Sequence, residues 1–124
     1  MLKFRFRKFK IYQDALEFRK KIKRLSREKF PKEEQFCLTS QLWRALDSVI
    51  LNIAEGSDRG TDKDFAHFLN NAHTSLNEVV SCLDAALSDR YILENDLNAG
   101  LKDAENIANQ LTAFRKKLIQ APMK

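Results

Sequence analysis

The stretch LTSQLWRALDSVILNIAEG, residues 38–56, decides the fold of this chain. Its apolar side chains return every three or four residues, which is the period of an amphipathic α-helix. The resulting stripe consists of Leu38, Leu42, Ala45, Leu46, Val49 and Ile53. Gly56 follows the stripe and is typical of a helix C-cap, because glycine reaches positive φ without strain. We therefore predict a helix over about residues 32–55 that is capped by Gly56.

The same period continues through most of the chain and predicts three further helices, over about residues 9–29, 61–90 and 95–119. Pro31 ends the first of them, because the residue before a proline avoids the α region. Thr61 and Asp64 resemble a capping box at the start of the third. Short connections force neighbouring helices to run antiparallel, so we predict an all-α fold, an antiparallel up-down-up-down four-helix bundle. The bundle covers residues 9–120, between a basic arm (1–8) and a tail (121–124).

Positive charge is concentrated at the start of the sequence. Residues 1–29 carry a formal charge of +9, whereas residues 30–124 carry −4. A basic arm and helix of this kind favour a polyanionic partner such as RNA or DNA; a solvated, lysine-rich helix face is the alternative. The candidate phosphate contacts are Lys3, Arg5, Arg7, Lys8, Lys10, Lys20, Lys21, Lys23, Arg24 and Arg27.

Cations and aromatic residues alternate over residues 3–8, which predicts an extended arm with Phe4 and Phe6 on one side. These two rings either stack on the bases of a single strand or pack against the bundle.

A second apolar stripe follows the second helix. Phe36, Trp43 and Ile50 recur every seven residues, beside a core stripe that is complete without them. Ile11 and Phe18 likewise fall off the expected inward stripe of the first helix, which consists of Tyr12, Ala15, Leu16, Ile22 and Leu25. Helices that are apolar on more than one face are central or touch another chain. We predict that Phe36, Trp43 and Ile50 lie at a subunit interface; a wide core stripe is the alternative.

The composition argues against several other classes of protein. With 3 Gly, 2 Pro and 2 Cys, the chain lacks the turn residues of an all-β fold and the cysteines of a disulfide framework or a four-thiolate zinc site. His67 and His73 are six residues apart and point to different faces of one helix. We expect neither a catalytic site, a metal nor a cofactor. Because no apolar run is long enough to cross a membrane and no signal peptide is visible, we expect a cytoplasmic protein.

Several short motifs resemble those of one protein family. The most specific is NIAEG, which consists of Asn52, Ile53, Ala54, Glu55 and Gly56. The likeness extends over about residues 9–120 through four further segments: FKIYQDA (9–15), FPKEE (30–34), LTSQL (38–42) with Arg44 after it, and SLNE (75–78). The chain resembles the four-helix-bundle proteins encoded in intervening sequences of bacterial 23S ribosomal RNA genes. It is also similar to the accessory variability determinant proteins of diversity-generating retroelements.

The resemblance implies a bundle that assembles into a ring, typically a homopentamer, and implies no enzyme. Its characterised branch binds nucleic acid and a reverse transcriptase. Together with the basic N-terminal residues, it predicts a nonenzymatic, ring-forming bundle that binds nucleic acid through the arm and the first helix. The alternative is an adaptor that docks a protein, for example a reverse transcriptase, without binding nucleic acid itself.

Overall fold

Four α-helices form the body of the protein. The computed structural model describes residues 3–120. The helices are α1 (Lys10–Lys29), α2 (Leu38–Gly56), α3 (Asp62–Ser88) and α4 (Glu94–Gln120). Short 3₁₀ turns, Arg5–Lys8 and Lys32–Glu34, precede α1 and α2. The predicted tail, residues 121–124, lies outside the described residues.

Pairs of side chains show that neighbouring helices run in opposite directions. Lys29 at the end of α1 lies 2.8 Å from Asp96 at the start of α4, whereas Asp14 near the start of α1 accepts a hydrogen bond from Gln110 near the end of α4. In the same way, the end of α2 at Gly56 meets the start of α3 at Phe65. Each helix contacts the next in sequence, and α1 also contacts α4. The predicted four-helix bundle is confirmed.

The core lies between the four helices, and the predicted stripe of α2 faces it. Leu42, Leu46 and Ile53 are fully buried there, together with Leu69 and Leu83 of α3. The two cysteines differ in exposure, since Cys82 is buried and Cys37 is exposed. Apolar burial on this scale is the main source of stability for a bundle.

The predicted inward stripe of α1 is correct at Ala15 and Ile22 and wrong at Leu16. Ile11 and Phe18 are each 3% exposed and belong to the core, whereas Leu16 is 37% exposed. The buried residues Ile11, Ala15, Phe18 and Ile22 alternate spacings of four and three, as the face of α1 that lies between α2 and α4 requires. α1 therefore has one apolar face rather than two.

The start of α2 also differs from the prediction. A 3₁₀ turn occupies Lys32–Glu34, and the α-helix begins only at Leu38. The Glu34 carboxylate accepts a hydrogen bond from the Leu38 backbone N–H (3.1 Å), so it satisfies one of the free donors at the start of α2. Phe36 consequently lies in the turn before α2. Of the seven-residue repeat Phe36, Trp43 and Ile50, only Trp43 and Ile50 are therefore on the helix.

Gly56 ends α2 for a different reason than predicted. No glycine among the described residues has positive φ. A Cβ at Gly56 would instead lie 2.6 Å from Phe68 Cβ and 2.9 Å from Phe65 Cδ1. Glycine is therefore required by the close approach of α3 to the end of α2. The predicted cap at the other side of this connection is confirmed, because Thr61 Oγ1 accepts a hydrogen bond from the Asp64 N–H (3.1 Å).

Residues 3–8, the described part of the N-terminal arm, are not extended. The Arg5–Lys8 segment forms a 3₁₀ turn that begins at Phe4 in the left-handed region, with φ of 59°. The Arg5 guanidinium donates to the Ser57 carbonyl oxygen just beyond α2 (2.8 Å from Nη2) and lies 5.6 Å from the Phe65 ring centroid. The negative end of the α2 dipole and an aromatic face attract this cation, and they fold the arm onto the bundle.

Candidate nucleic-acid interface

The solvent-facing side of α1 carries a row of exposed cations. Lys20, Arg24 and Arg27, here called the outer row, are three or four residues apart and therefore lie on one face of the helix. Among residues 3–120, no carboxylate lies within 4 Å of the charged nitrogen atoms of these three side chains. The outer row is thus a positively charged surface without a salt-bridge partner in the described part of the chain.

The cations on the flanks of α1 are paired instead. Arg19 Nε lies 2.7 Å from Asp47 Oδ1 of α2, and Lys21 Nζ lies 3.6 Å from Asp103 Oδ2 of α4. Lys10 pairs with Asp14 at 2.6 Å on the helix itself, which lowers the pKa of the Asp14 carboxyl. Lys10 and Lys21, both predicted phosphate contacts, therefore already have acidic partners.

Between α1 and α2, two cations lie against the indole ring of Trp43. The distance to the ring centroid is 4.4 Å from Lys23 Nζ and 5.0 Å from Arg27 Cζ. Trp43 Nε1 donates to Ser26 Oγ (2.9 Å), and this hydroxyl donates to the Lys23 carbonyl oxygen (2.8 Å). The indole is therefore fixed in one position beside the cations.

A shallow groove of about 430 Å³ runs along α1 next to this cluster. It is lined by Gln13, Leu16, Glu17, Arg19, Lys20, Lys23 and Arg27. The pKa of the Lys23 ammonium is lowered, first by burial and then by repulsion from Arg19. Asp47 lies 3.9 Å from Lys23 Nζ and opposes this shift.

The predicted set of ten contacts thus divides into separate groups. Lys3, Arg7 and Lys8 are exposed around the start of α1, whereas the Arg5 guanidinium is turned onto Ser57. The outer row and Lys23 lie further along α1. The roles of Arg19 and Asp47 leave no signal in the sequence, because the salt bridge between them joins residues 28 positions apart on different helices.

The NIAEG motif stabilises the junction of α2 and α3. Ile53 is buried, and Asn52 Nδ2 donates to the Ser48 carbonyl oxygen (2.8 Å). The Ser48 hydroxyl shares a hydrogen bond with the Ser75 hydroxyl of α3 (2.7 Å). The remaining members of the motif complete the corner: the Ala54 carbonyl accepts from the Ser57 hydroxyl, Glu55 Oε2 lies 3.7 Å from Arg59 Nη1, and Gly56 packs beneath α3.

The residues predicted at a subunit interface differ in exposure. Phe36 is 86% exposed, and Leu51, one residue beyond Ile50, is 61% exposed. Ile50 and Trp43 are part-buried and pack against the core of their own chain. Their role in a subunit contact stays a prediction.

Within residues 3–120, no three His, Cys, Asp or Glu side chains are grouped as metal ligands would be. No helix in that part of the chain is long and apolar enough to cross a membrane.

The structure defines a small four-helix protein with one cationic helix face, and comparison with known proteins supplies the family. The model of the 23S rRNA-intervening sequence protein family matches residues 7–113, and the chain belongs to that family. A similar solved structure, a protein of unknown function from the S23 ribosomal protein family of Bacteroides thetaiotaomicron, superposes with a TM-score of 0.78. It is 24% identical, and the match covers 86% of this chain and 95% of that one. No curated protein matches.

Proposed function

We propose that this protein is a nonenzymatic scaffold that binds nucleic acid through the outer row of α1 and through Lys3, Arg7 and Lys8 of the arm. The observation that carries the proposal is the difference between the two kinds of cation on α1. Cations on its flanks have carboxylate partners from α2 and α4, whereas the outer row has none within the described residues. A negatively charged polymer supplies the counter-charges that the outer row lacks.

The spacing of the outer row suits the phosphates of a nucleic-acid backbone. A helix rises about 1.5 Å per residue, so the three Cα positions follow one another at roughly 6 Å and 4.5 Å along the axis of α1. Arginine binds phosphate in a bidentate manner and lysine as a point charge. Such contacts position a strand and release counterions without reading its bases.

Fluorescence anisotropy tests this proposal. A labelled 30-nucleotide RNA and the matching DNA are titrated with the protein at salt concentrations between about 50 and 200 mM. We expect affinity to fall steeply with salt. The triple variant Lys20→Gln/Arg24→Gln/Arg27→Gln should reduce the slope of log K against log salt by roughly 2, since each lost phosphate contact removes about 0.7 on a single strand.

A matched control removes the same charge elsewhere on the surface. Lys32, Arg90 and Lys102 are exposed and lie outside α1. Their triple exchange to Gln should leave the salt slope nearly unchanged. Equal losses in the two triple variants would show that only net charge matters, and an absence of binding at about 50 mM salt would refute the proposal.

We also propose that the chain self-associates, and that Phe36 and Ile50 of the predicted set contribute to the contact together with Leu51. Trp43, the third predicted residue, lies against Lys23 and Arg27 of its own chain. The supporting observation is the exposure of Phe36 and Leu51, because exposed large apolar side chains often mark interaction sites. The family resemblance favours a ring of identical subunits, typically five. Docking of another protein, such as a reverse transcriptase, on the same residues is the alternative function.

A further inference from the structure

The side chains around Lys23 form a cluster in which positive charges outnumber negative ones. Arg19 and Lys23 share a single carboxylate, Asp47. Lys23 and Arg27 share the face of a single indole, Trp43. Lys20 lines the groove along α1 together with these cations, and the carboxylate in the groove lining is Glu17. Four cations thus face two carboxylates, and the mutual repulsion of Arg19, Lys23 and Arg27 is relieved only in part.

Lys23 differs from the other lysines of the outer surface because its side chain is held in place. Only 13% of that side chain is exposed, and its ammonium group lies on the indole ring at 4.4 Å. Binding an anion therefore costs little side-chain entropy at this position. Arg27, on the same ring, adds a planar group that can donate two hydrogen bonds to one phosphate.

We infer that the groove beside Trp43 is a phosphate-binding site in which Lys23 and Arg27 hold one phosphate group and Lys20 contributes at the groove rim. The inference rests on the proposed function in one respect, since we assign the phosphate to the backbone of the bound strand. A free polyphosphate offers the same chemistry, and the experiment below distinguishes the two sources.

Trp43 makes occupancy of this site measurable. It is the chain's single tryptophan, so all indole emission comes from this position. A phosphate bound to Lys23 and Arg27 adds negative charge next to the indole ring, and the Trp43 emission must then change in intensity or wavelength. The hydrogen bond from Trp43 Nε1 to Ser26 keeps the ring itself in position.

The experiment titrates the full chain with sodium tripolyphosphate and, separately, with a 20-nucleotide oligoadenylate RNA, at constant ionic strength. Trp43 emission is recorded for the wild type, for Lys23→Met and for Lys21→Met. Met keeps an unbranched apolar stem on the indole while it removes the ammonium group. Lys21 is the matched control, because it is the paired cation two residues earlier on α1. Circular dichroism verifies that both variants retain their helices.

We expect both anions to change the emission and to compete with each other. Lys23→Met should abolish the emission change and weaken tripolyphosphate binding about tenfold, as loss of one charge-assisted contact does, whereas Lys21→Met should stay within about twofold of wild type. An RNA that binds by anisotropy without altering the emission, or a Lys23→Met variant that binds tripolyphosphate as the wild type does, would overturn the site while leaving the proposed function intact. Tripolyphosphate binding without any RNA binding would overturn the proposed function and the assignment to a strand.

Discussion

Replacement of Gly56 by alanine tests why the NIAEG motif ends in glycine. The added Cβ would lie 2.6 Å from Phe68 Cβ and 2.9 Å from Phe65 Cδ1. Phe68 Cβ is bonded directly to the backbone of α3, so it cannot swing aside as the tip of a side chain can. The start of α3 must therefore move away from the end of α2, which opens the packing around the buried Phe65 ring.

The expected cost of Gly56→Ala follows from this overlap. Overpacking of a well-packed site typically costs about 1–3 kcal/mol. Alanine recovers at most about 1 kcal/mol of helix propensity, and less than that in the last residue of a helix. We expect a net loss of about 2 kcal/mol in the free energy of unfolding, which lowers the melting temperature by roughly 8 °C for a domain of this size. Thermal and urea unfolding followed by circular dichroism at 222 nm measure both quantities.

Two further variants separate close packing from backbone strain. Gly60→Ala is the control, because its Cβ would meet no atom within 4 Å and its φ is not positive. It should be neutral or stabilising by up to about 1 kcal/mol. Gly56→Asn should be worse than Gly56→Ala, since asparagine is larger. Close packing is not the reason for glycine at position 56 if Gly56→Ala is as stable as wild type, or if Asn is tolerated better than Ala, as a left-handed backbone would allow.

Three other perturbations test separate features. Thr61→Ala should cost about 1 kcal/mol in urea unfolding, because it removes the acceptor for the Asp64 N–H, and Thr61→Ser should restore most of it. The Tyr91 hydroxyl donates to Glu34 (2.6 Å), which lowers the pKa of the Glu34 carboxyl and raises the pKa of Tyr91 from 10.0 to about 12. Wild-type stability should therefore fall as Glu34 protonates at acid pH, and fall again as the pH rises from about 10 to 12. Tyr91→Phe should lose less stability at both extremes. Equal dependence of stability on pH in the two proteins would contradict this prediction. Leu51→Lys should lower the particle mass in light scattering with helicity unchanged, whereas Ile119→Lys, also at an exposed apolar residue, should not.

The period of the apolar residues predicted the four helices, because the pattern that gives each helix one apolar face is contained within that helix's own segment of the sequence. It could not predict details that depend on a neighbouring helix. Leu16 and Phe18 are equally apolar, and only the position of α1 between α2 and α4 decides that Phe18 is the buried one. The reason for Gly56 could not be predicted either, since a glycine at a helix end suits both positive φ and close packing.

The candidate site was predicted in its charge but not in its geometry. The density of Lys and Arg before residue 30 identified α1 as the cationic helix. Sequence could not show which of these cations are neutralised, because Asp47 and Asp103 reach α1 from other helices. It also could not show that the arm folds back, since the Ser57 carbonyl that holds Arg5 is 52 residues away.

The salt bridges on both flanks of α1 have a consequence for the rate of association. They pair the cations that face α2 and α4, and leave the outward charges of α1 unopposed on a molecule whose residues 30–124 carry −4. The protein therefore has an electric dipole across its width as well as a net charge. Near a polyanion, within the Debye length of about 8–10 Å at physiological salt, this dipole produces a torque that turns α1 towards the polymer. A protein that approaches in an unfavourable orientation is turned before contact, so the association rate should exceed that of a protein with the same net charge spread evenly.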